Sequence, residues 1–409
     1  MDYRHRIIET KLAELFLYYP VIAVLGARQV GKSTLVGNLF RDKVETVVFD
    51  PVIDVGNARE DPDFFLQNIT QPAFLDEVQY APELLGAIKR IVDRKDQNGL
   101  FILSGSQNLS VLKNIAESLA GRVAITQLWP MSHNELGGGQ TAGFLDKWLM
   151  DDAIDLQEWR SIRSEAVYPR IWRGGYPGIM NLPEHLVSGY WSSYLQTYIE
   201  RDVRTIANIG SLQTFGRFIG LLAALSAQEI NYNQLGRELG VDRKTALAWT
   251  EIAQSTYQWL SIPAFSRNPI KKISGKYKGF FTDTGFICFL QKISAPEIIS
   301  SHPLHGRLFE TFVCMEVVKK LQGLPLLPNL YHFRAYSGAE VDLVLELNGK
   351  LYPIEIKAKS NPNRKDVRGF AAFRECFPKE EFHDGLLICA IEQPRRLSDN
   401  VVAVPWWVL

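Results

Sequence analysis

The chain has 409 residues, 46% of them hydrophobic, and its 45 Lys and Arg residues balance its 45 Asp and Glu residues. This length and composition predict two or three domains with buried cores. The zero net charge excludes a global field that attracts nucleic acid, so any basic surface has to be local. The four cysteines are far apart in sequence and form no C-x-x-C pair. Such spacing argues against a zinc site or a disulfide framework and is typical of a reducing compartment.

The amino-terminal segment is polar and charged and lacks the apolar core of a signal peptide. No uncharged stretch approaches the roughly 18 residues that a membrane-spanning helix requires. We therefore expect a soluble, cytoplasmic protein with no membrane partner.

The first chemical motif follows five apolar residues, 21–25, that are typical of a buried strand, and it precedes a helical pattern. It has the form G-x-x-x-x-G-K-[ST], and the expected nucleotide-binding residues are Gly26, Arg28, Gln29, Val30, Gly31, Lys32, Ser33 and Thr34. Glycines let the backbone wrap a phosphate, so that N–H groups and the helix N-terminus face its charge. Lys32 would reach the β- and γ-phosphates and Ser33 a Mg²⁺ ion. The strand and helix on either side argue against a chance Gly-rich turn, so we expect ATP and Mg²⁺ as ligands.

Strand-like and helix-like runs alternate from about residue 19 to residue 128, which predicts a mainly parallel sheet with helices on both faces. The predicted strands are 21–25, 46–49, 73–75, 100–103 and 123–127. Asp76 and Glu77 follow the third of these strands. We expect Asp76 to hold the Mg²⁺ shell and Glu77 to polarise the attacking water. The alternative is an acidic pair that caps the following helix.

Two further positions in this domain have open alternatives. Ser106 or Asn108 follows the fourth strand and would sense the γ-phosphate, because ligands of open α/β sheets lie outside the carboxyl ends of the strands; a tight turn at Gly105 explains the same residues equally well. Arg122 precedes the fifth strand and would act as an arginine finger on a neighbouring subunit. An ordinary surface ion pair is the alternative for Arg122.

The ordered set of motifs resembles a prokaryotic family of AAA-type ATPases that carry a C-terminal domain of unknown function and are related to archaeal ATPases of the same class. The motifs that carry this resemblance are residues 26–34, 75–79, 103–107 and 119–122, with further marks at 198–203, 281–285 and 338–342. The resemblance covers nearly the whole chain. It implies ATP binding and hydrolysis and leaves the biological task open.

The middle of the chain contains a predicted helix-turn-helix. Residues 232–239 and 243–249 have helical patterns, and the turn between them ends in Asp242, a good N-cap. A basic stretch after the second helix predicts a two-stranded wing. The cations that we expect to contact DNA phosphates are Arg243, Lys244, Lys271, Lys272, Lys276 and Lys278. A winged helix that docks a protein is the alternative.

Three acidic residues and a lysine mark the carboxyl-terminal part. Asn348-Gly349 predicts a tight hairpin turn; across it, Asp342 lies opposite Glu355, which shares one strand face with Lys357. Two carboxylates and a lysine can bind Mg²⁺ and activate water against a phosphodiester, and Glu310 on a predicted helix would add a third metal ligand.

This pattern resembles the PD-(D/E)XK nuclease fold, with Val341 where the motif has a proline. The resemblance implies catalysis by Asp342, Glu355 and Lys357 with metal on Glu310, Asp342 and Glu355. Two alternatives stay open: a relative of the fold that only binds, and an E-x-K pair that makes a surface hairpin soluble.

We therefore expect four regions: an α/β P-loop ATPase core at 1–135, a helical lid or connector at 136–205, a winged helix at 206–295 and an α/β nuclease-like domain at 296–409. The expected function is that of a DNA-acting ATPase motor or switch, with branched or foreign DNA as its substrate and a nuclease coupled to it. We also expect the protein to form a homo-oligomer. The rival is a signalling ATPase whose C-terminal modules bind proteins and whose nuclease-like fold is inactive.

Overall fold

The computed structural model describes residues 3–50, 55–106, 118–138, 143–150, 155–159, 166–204, 211–268, 275–335 and 337–409, and for residues 55 and 200–202 it describes the backbone only. The α-helices are α1 (Glu9–Tyr18), α2 (Lys32–Leu39), α3 (Val55–Glu60), α4 (Pro62–Gln67), α5 (Leu84–Lys95), α6 (His133–Gly137), α7 (Phe144–Leu149), α8 (Val167–Arg173), α9 (Glu184–Thr197), α10 (Leu212–Ala224), α11 (Tyr232–Leu239), α12 (Arg243–Ser255), α13 (Thr284–Leu290), α14 (His305–Leu321) and α15 (Arg368–Cys376). A π-helical segment, Tyr198–Val203, continues α9. Among the described residues, the structure contains no helix whose length and apolar character would let it cross a membrane.

The strands divide into an amino-terminal, a middle and a carboxyl-terminal sheet. They are β1 (Val21–Leu25), β2 (Glu45–Val48), β3 (Ala73–Asp76), β4 (Phe101–Gly105), β5 (Val123–Gln127), β6 (Gln228–Glu229), β7 (Trp259–Pro263), β8 (Tyr277–Phe281), β9 (Asn329–Arg334), β10 (Glu340–Leu347), β11 (Lys350–Lys357), β12 (Glu381–Phe382), β13 (Gly385–Cys389), β14 (Arg395–Ser398) and β15 (Val401–Pro405).

The amino-terminal sheet has the order β2-β3-β4-β1-β5 within the described part of the chain, and its neighbouring strands are parallel. The predicted parallel sheet is confirmed, and the bounds of its strands differ from the predicted ones by two residues at most. Strand β1 is buried at every position, as expected for a central strand covered on both faces. All five carboxyl ends therefore meet at one edge of this sheet.

The middle region places α10, α11 and α12 beside an antiparallel sheet of order β6-β8-β7. The Asp242 carboxylate accepts a 2.7 Å hydrogen bond from the Thr245 N–H and so caps α12. The turn before α12 contains Gly240 with φ of 71°, a left-handed conformation that favours glycine.

The carboxyl-terminal sheet is mixed, with the path β14-β15-β13-β11-β10-β9 and β12 beside β11. Strands β10 and β11 form a hairpin across Asn348 and Gly349, which have φ of 51° and 83°. Two consecutive positive φ angles are the signature of the turn that Asn-Gly prefers, so the predicted hairpin is present.

The middle and carboxyl-terminal sheets are joined through backbone. Ala264 forms a bridge with His332 of β9, and the next N–H, of Phe265, donates a 2.7 Å hydrogen bond to the His332 carbonyl. A continuous apolar core runs from α1 through the amino-terminal sheet and the connector helices into the carboxyl-terminal sheet. The side chains of β8 therefore pack directly against the carboxyl-terminal part of the chain.

Candidate nucleotide site and a buried carboxylate–lysine cluster

The loop after β1 depends on two glycines. A Cβ on Gly26 would lie 2.2 Å from the Leu128 carbonyl oxygen, a distance that side chains do not tolerate. Gly31 has φ of 95° immediately before α2, a backbone conformation that L-residues rarely adopt. The loop therefore passes close to the end of β5 and turns sharply into the helix, whose first N–H groups are available to an anion.

Lys32 is folded over this loop. It is 5% exposed, and its Nζ donates hydrogen bonds of 3.0 and 2.9 Å to the carbonyls of Gly26 and Ala27. The ammonium is thus held at the centre of the loop, where a phosphate wrapped by the backbone would meet it.

Ser33 and Asp76 meet at the carboxyl edge of the amino-terminal sheet. Ser33 Oγ donates a 2.5 Å hydrogen bond to Asp76 Oδ2, and Ser104 Oγ donates to Asp76 Oδ1. Hydroxyl and carboxylate oxygens are the donors that Mg²⁺ prefers, so the residues present fit the expected ion. When bound, it would neutralise charge that develops on the phosphates.

Glu77 lies beside this pair in a left-handed conformation with φ of 58°. Its N–H donates to Ser104 Oγ at 3.2 Å; its carboxylate accepts from Gln79 Nε2 and, at 3.4 Å, from Ser106 Oγ. Among the described residues, the Glu77 side chain makes no capping hydrogen bond to the following turn, and the Asp76 carboxylate accepts from Ser33 and Ser104, so neither side chain is placed as a helix cap. The structure brings Ser106 to Glu77, whereas Asn108 lies outside the described residues.

Several residues around the loop were missed by sequence reasoning. Arg6 is buried and donates to the Val30 carbonyl at 2.9 Å and the Trp129 carbonyl at 2.7 Å. Tyr190 of α9 donates a 2.7 Å hydrogen bond to Gln29 Oε1, and Arg28 donates to Tyr80 Oη at 3.0 Å. Gln79 follows Asp76-Glu77 in one of the quoted motifs, but nothing local marks Arg6 or Tyr190 as neighbours of the loop.

Arg122 precedes β5 and therefore lies at the edge of the sheet opposite the P-loop, which follows the parallel strand β1. It forms an ion pair with Asp93 and donates a 3.0 Å hydrogen bond to the Ala120 carbonyl. The structure thus contains the surface ion pair of Arg122 with Asp93. Arg122 could contact a nucleotide phosphate only in the site of a neighbouring subunit.

The expected DNA-contacting cations occupy different environments. Arg243 and Lys244 are exposed at the start of α12. Lys276 is exposed and lies 3.5 Å from Glu229. Lys271 and Lys272 lie outside the described residues. The placement of Lys278 on an exposed wing is wrong: it is 7% exposed, because its face of β8 packs against the carboxyl-terminal sheet and α14.

Lys278 enters a buried cluster that we call the carboxylate–lysine cluster: Lys278, Glu310, Asp342, Glu355 and Lys357. Lys278 Nζ lies 2.8 Å from Asp342 Oδ1 and also contacts Glu310 Oε1. Lys357 Nζ lies 2.5 Å from Glu355 Oε1 and 3.6 Å from Asp342 Oδ2. The structure therefore brings Asp342, Glu355, Lys357 and Glu310 together, and adds an ammonium that sequence reasoning had placed elsewhere.

Burial and charge shift the pKa values in this cluster in opposite directions. Burial raises the pKa of Asp342, but the neighbouring Lys278 and Lys357 outweigh it and hold that pKa below its ordinary value. Burial and the charge of Asp342 raise the pKa of Glu310 to about 8 and that of Glu355 well above its ordinary value. Glu355 is 3% exposed, so a solubilising E-x-K pair on a surface hairpin does not describe Glu355 and Lys357.

In the described part of the chain, no three His, Cys, Asp or Glu side chains are arranged to hold a metal ion. The carboxylates of the cluster face ammonium groups instead. The side chains as placed therefore do not fit the expected metal on Glu310, Asp342 and Glu355.

Comparison with known proteins agrees with the nucleotide-site geometry. Residues 18–137 match the family model described as an AAA domain. The chain carries a P-loop ATPase domain of the AAA class. Residues 164–297 and 305–409 match two domains of unknown function, DUF8612 and DUF4143.

Two mycobacterial relatives are similar along most of the chain. "Uncharacterized protein Rv2008c" of Mycobacterium tuberculosis and "Uncharacterized protein Mb2031c" of Mycobacterium bovis are each 27% identical over 389 residues, covering 94% of this chain and 80% of theirs.

Two solved structures are similar at lower identity. The Walker-type ATPase of Pyrococcus abyssi is 16% identical, with 69% of this chain and 94% of that chain covered and a TM-score of 0.42. The RuvB Holliday junction branch migration motor of Thermotoga maritima is 16% identical, with coverage of 64% and 90% and a TM-score of 0.29.

Proposed function

We propose that this AAA protein is an ATP-hydrolysing switch that binds DNA through the first turn of α12. In the nucleotide site, Lys32 binds the β- and γ-phosphates, Ser33 and Asp76 hold Mg²⁺, and Glu77 orients and polarises water. The backbone N–H groups of the loop supply the remaining contacts to phosphate.

The observation that carries the DNA part is the exposure of Arg243 and Lys244 directly after the Asp242 cap. In helix-turn-helix proteins the N-terminal residues of the second helix meet DNA. The antiparallel strands β7 and β8 follow α12 as a wing would, and this order supports a winged-helix arrangement. Arg243 also lies close enough to Tyr232 of α11 to lower that residue's pKa, against the larger effect of burial, which raises it.

A contact between the AAA domain and the connector supports the term switch. Tyr190 of α9 donates to Gln29 within the P-loop, and α9 continues through the π-helical segment toward the middle region. Nucleotide that binds the P-loop would therefore alter the hydrogen bond between Gln29 and Tyr190, and α9, which carries Tyr190, leads toward the helix-turn-helix.

Fluorescence anisotropy of a labelled duplex tests the proposal across salt concentrations, with and without ATP and Mg²⁺. We expect binding that weakens steeply with salt and changes with nucleotide. Each lost phosphate contact lowers the log–log salt slope by about 0.9, so R243A/K244A should reduce it by about 2. The control R41A/K43A removes two exposed cations from the AAA domain and should leave the slope unchanged.

For the carboxyl-terminal domain we propose a nuclease-like fold but no nuclease activity. Asp342, Glu355 and Lys357 converge across the β10–β11 hairpin, and this convergence favours a PD-(D/E)XK-like fold. Because an ammonium faces Asp342 and Glu310, cleavage is not part of the function we propose.

A regulatory ATPase that binds proteins is the second candidate, and the neutralised cluster favours it. Absence of salt-sensitive DNA binding in either nucleotide state would support this candidate. Mass measurement with and without ATP tests homo-oligomer formation, and an assembled ring would give Arg122 access to a neighbouring site.

A further inference from the structure

We propose that Lys278 is an internal latch: its ammonium takes the place of a divalent cation between Glu310 and Asp342, so these two carboxylates can bind metal only when the Lys278 side chain has moved away from them. The latch stands on the geometry of the carboxylate–lysine cluster and needs neither ATP hydrolysis nor DNA binding by the protein.

The two carboxylates and the lysine come from different parts of the fold. Glu310 lies on α14 and Asp342 on β10, whereas Lys278 belongs to β8 of the middle sheet. Lys278 Nζ lies 2.8 Å from Asp342 Oδ1 and contacts Glu310 Oε1. A single positive group thus bridges two carboxylates, as a metal ion would, and it is supplied by another sheet of the same chain.

The remaining charges of the cluster complete an alternating row. Lys357 bridges Asp342 and Glu355 as Lys278 bridges Asp342 and Glu310. Within the described part of the cluster, Asp342 therefore contacts two ammonium groups, those of Lys278 and Lys357. A metal ion added between Asp342 and Glu310 would meet a positive group at contact distance, so Lys278 and the ion exclude each other.

The cluster nevertheless retains capacity for a ligand. Glu355 is 3% exposed, and its Oε2 has no hydrogen-bond partner among the described residues. A buried polar atom without a partner is costly. Displacing the lysine would remove the ammonium partner of Asp342 Oδ1 and Glu310 Oε1, whereas Asp342 Oδ2 keeps its 2.9 Å hydrogen bond from the Ile356 N–H. A divalent cation between the two carboxylates would take the place of that partner.

A cleft connects the latch to solvent. It has a volume of about 1200 Å³ and is lined by Lys278 and Glu310 together with Lys276, Arg307, His332 and Arg334. An ion can therefore approach the cluster from the side of Lys278, without passage through the apolar core. Lys278 lines this cleft, so rotation of its flexible side chain can carry the ammonium away from the two carboxylates while β8 stays paired with β6 and β7.

Mn²⁺ binding without nucleotide, followed by electron paramagnetic resonance of the free ion, tests the latch. We expect K278M to bind Mn²⁺ at least tenfold more tightly than wild type, while K278R, which keeps the charge, stays at the wild-type level. K278M/D342N should lose the gain, which assigns it to this cluster and not to Ser33 and Asp76. Mn²⁺ should also raise the Tm of K278M but not that of wild type, because a ligand of the native state stabilises it.

Equal Mn²⁺ affinity in wild type and K278M, or a gain that survives D342N, would overturn the latch. If K278M does not fold, K278Q, which is also uncharged but polar, is measured in the same way. ATP hydrolysis by the same samples is measured separately. Absence of hydrolysis by the wild-type protein would contradict the proposed function but would not affect the latch.

Discussion

The backbone N–H of Gly175 donates a 2.7 Å hydrogen bond to Oδ2 of Asp283, two residues beyond β8. Asp283 Oδ1 accepts from the N–H groups of Gly285 at 2.9 Å and Phe286 at 3.2 Å and so caps α13. A Cβ built on Gly31 of the P-loop would lie 3.7 Å from Pro177, two residues after Gly175. The carboxylate therefore ties the end of the strand that carries Lys278 to the segment that packs against the nucleotide loop.

Replacing Asp283 with Asn should lower both stability and nucleotide affinity. The amide has one oxygen for three N–H donors, and its NH₂ group would face one of them, which leaves a buried donor unpaired at a cost of about 1–3 kcal/mol. Urea unfolding and ATP titration measure the two effects. The matched control is D242N at the exposed cap of α12, because Asn is as good an N-cap as Asp. Equal effects of both substitutions would contradict the role given to Asp283.

Gly26→Ala should abolish nucleotide binding. Its Cβ would lie 2.2 Å from a backbone oxygen of Leu128, and neither strand end can move without breaking the sheet. Gly37→Ala is the control, since no atom of the described residues lies within 4 Å of its Cβ position in α2 and the change should stabilise that helix by about 0.5–1 kcal/mol. ATP-dependent protection from thermal unfolding distinguishes the two. Normal ATP protection in G26A would show that the loop does not require this close approach.

Glu77→Gln should leave ATP affinity near the wild-type value and slow hydrolysis by about 10²–10⁴-fold, the usual contribution of a positioned acid–base group. The amide can still hydrogen-bond to Gln79 and Ser106 but cannot polarise water as a carboxylate does. Phosphate release and binding of a non-hydrolysable analogue separate the two quantities. Glu83→Gln, at an exposed position after the same strand, should turn over normally. A parallel loss of affinity and rate in E77Q would assign Glu77 to binding.

Glu310 should make the protein less stable as pH rises. Because its folded pKa is about 8, above the ordinary 4.5, the folded state binds the proton more strongly, and this stabilisation is lost as pH increases from about 4.5 to about 8. Glu355 acts in the same direction. The groups facing Glu310 are Lys278 of β8, Asp342 of β10, Lys357 of β11 and Cys314 of its own helix.

Urea unfolding at pH 5 and pH 8 measures this dependence. E310Q should show a smaller loss of unfolding free energy between the two pH values than wild type. E392Q, at an exposed position, should behave as wild type. A loss in E310Q as large as in wild type would mean that Glu310 releases its proton near its ordinary pKa.

Much of the fold could be predicted because its signals are local. The apolar runs of β1 and β5, the Gly-rich loop and the Asn348-Gly349 turn each fix backbone geometry within a few residues. The meeting of Ser33 with Asp76 follows from one further rule, that parallel strands present their carboxyl ends at one edge. Asp342 and Glu355 come together by the same reasoning, since a two-residue hairpin sets the register.

The surroundings of these sites could not be predicted in the same way. Arg6 and Tyr190 reach the P-loop from more than twenty and more than one hundred and fifty residues away, and no periodicity encodes such approaches. Lys278 is the clearest example of a residue whose surroundings could not be predicted, since a lysine in a basic, strand-like stretch is expected to face solvent.

The sequence by itself determined the nucleotide loop, the carboxylates at the end of β3, the parallel sheet and the β10–β11 hairpin, because backbone conformation and strand register depend on neighbouring residues. Only the tertiary structure decided that β8 is buried on both faces, and with it that the Lys278 ammonium pairs with Glu310 and Asp342. The middle sheet packs against the carboxyl-terminal part of the chain and so covers this strand, and contacts between such distant residues have no signal in the local sequence.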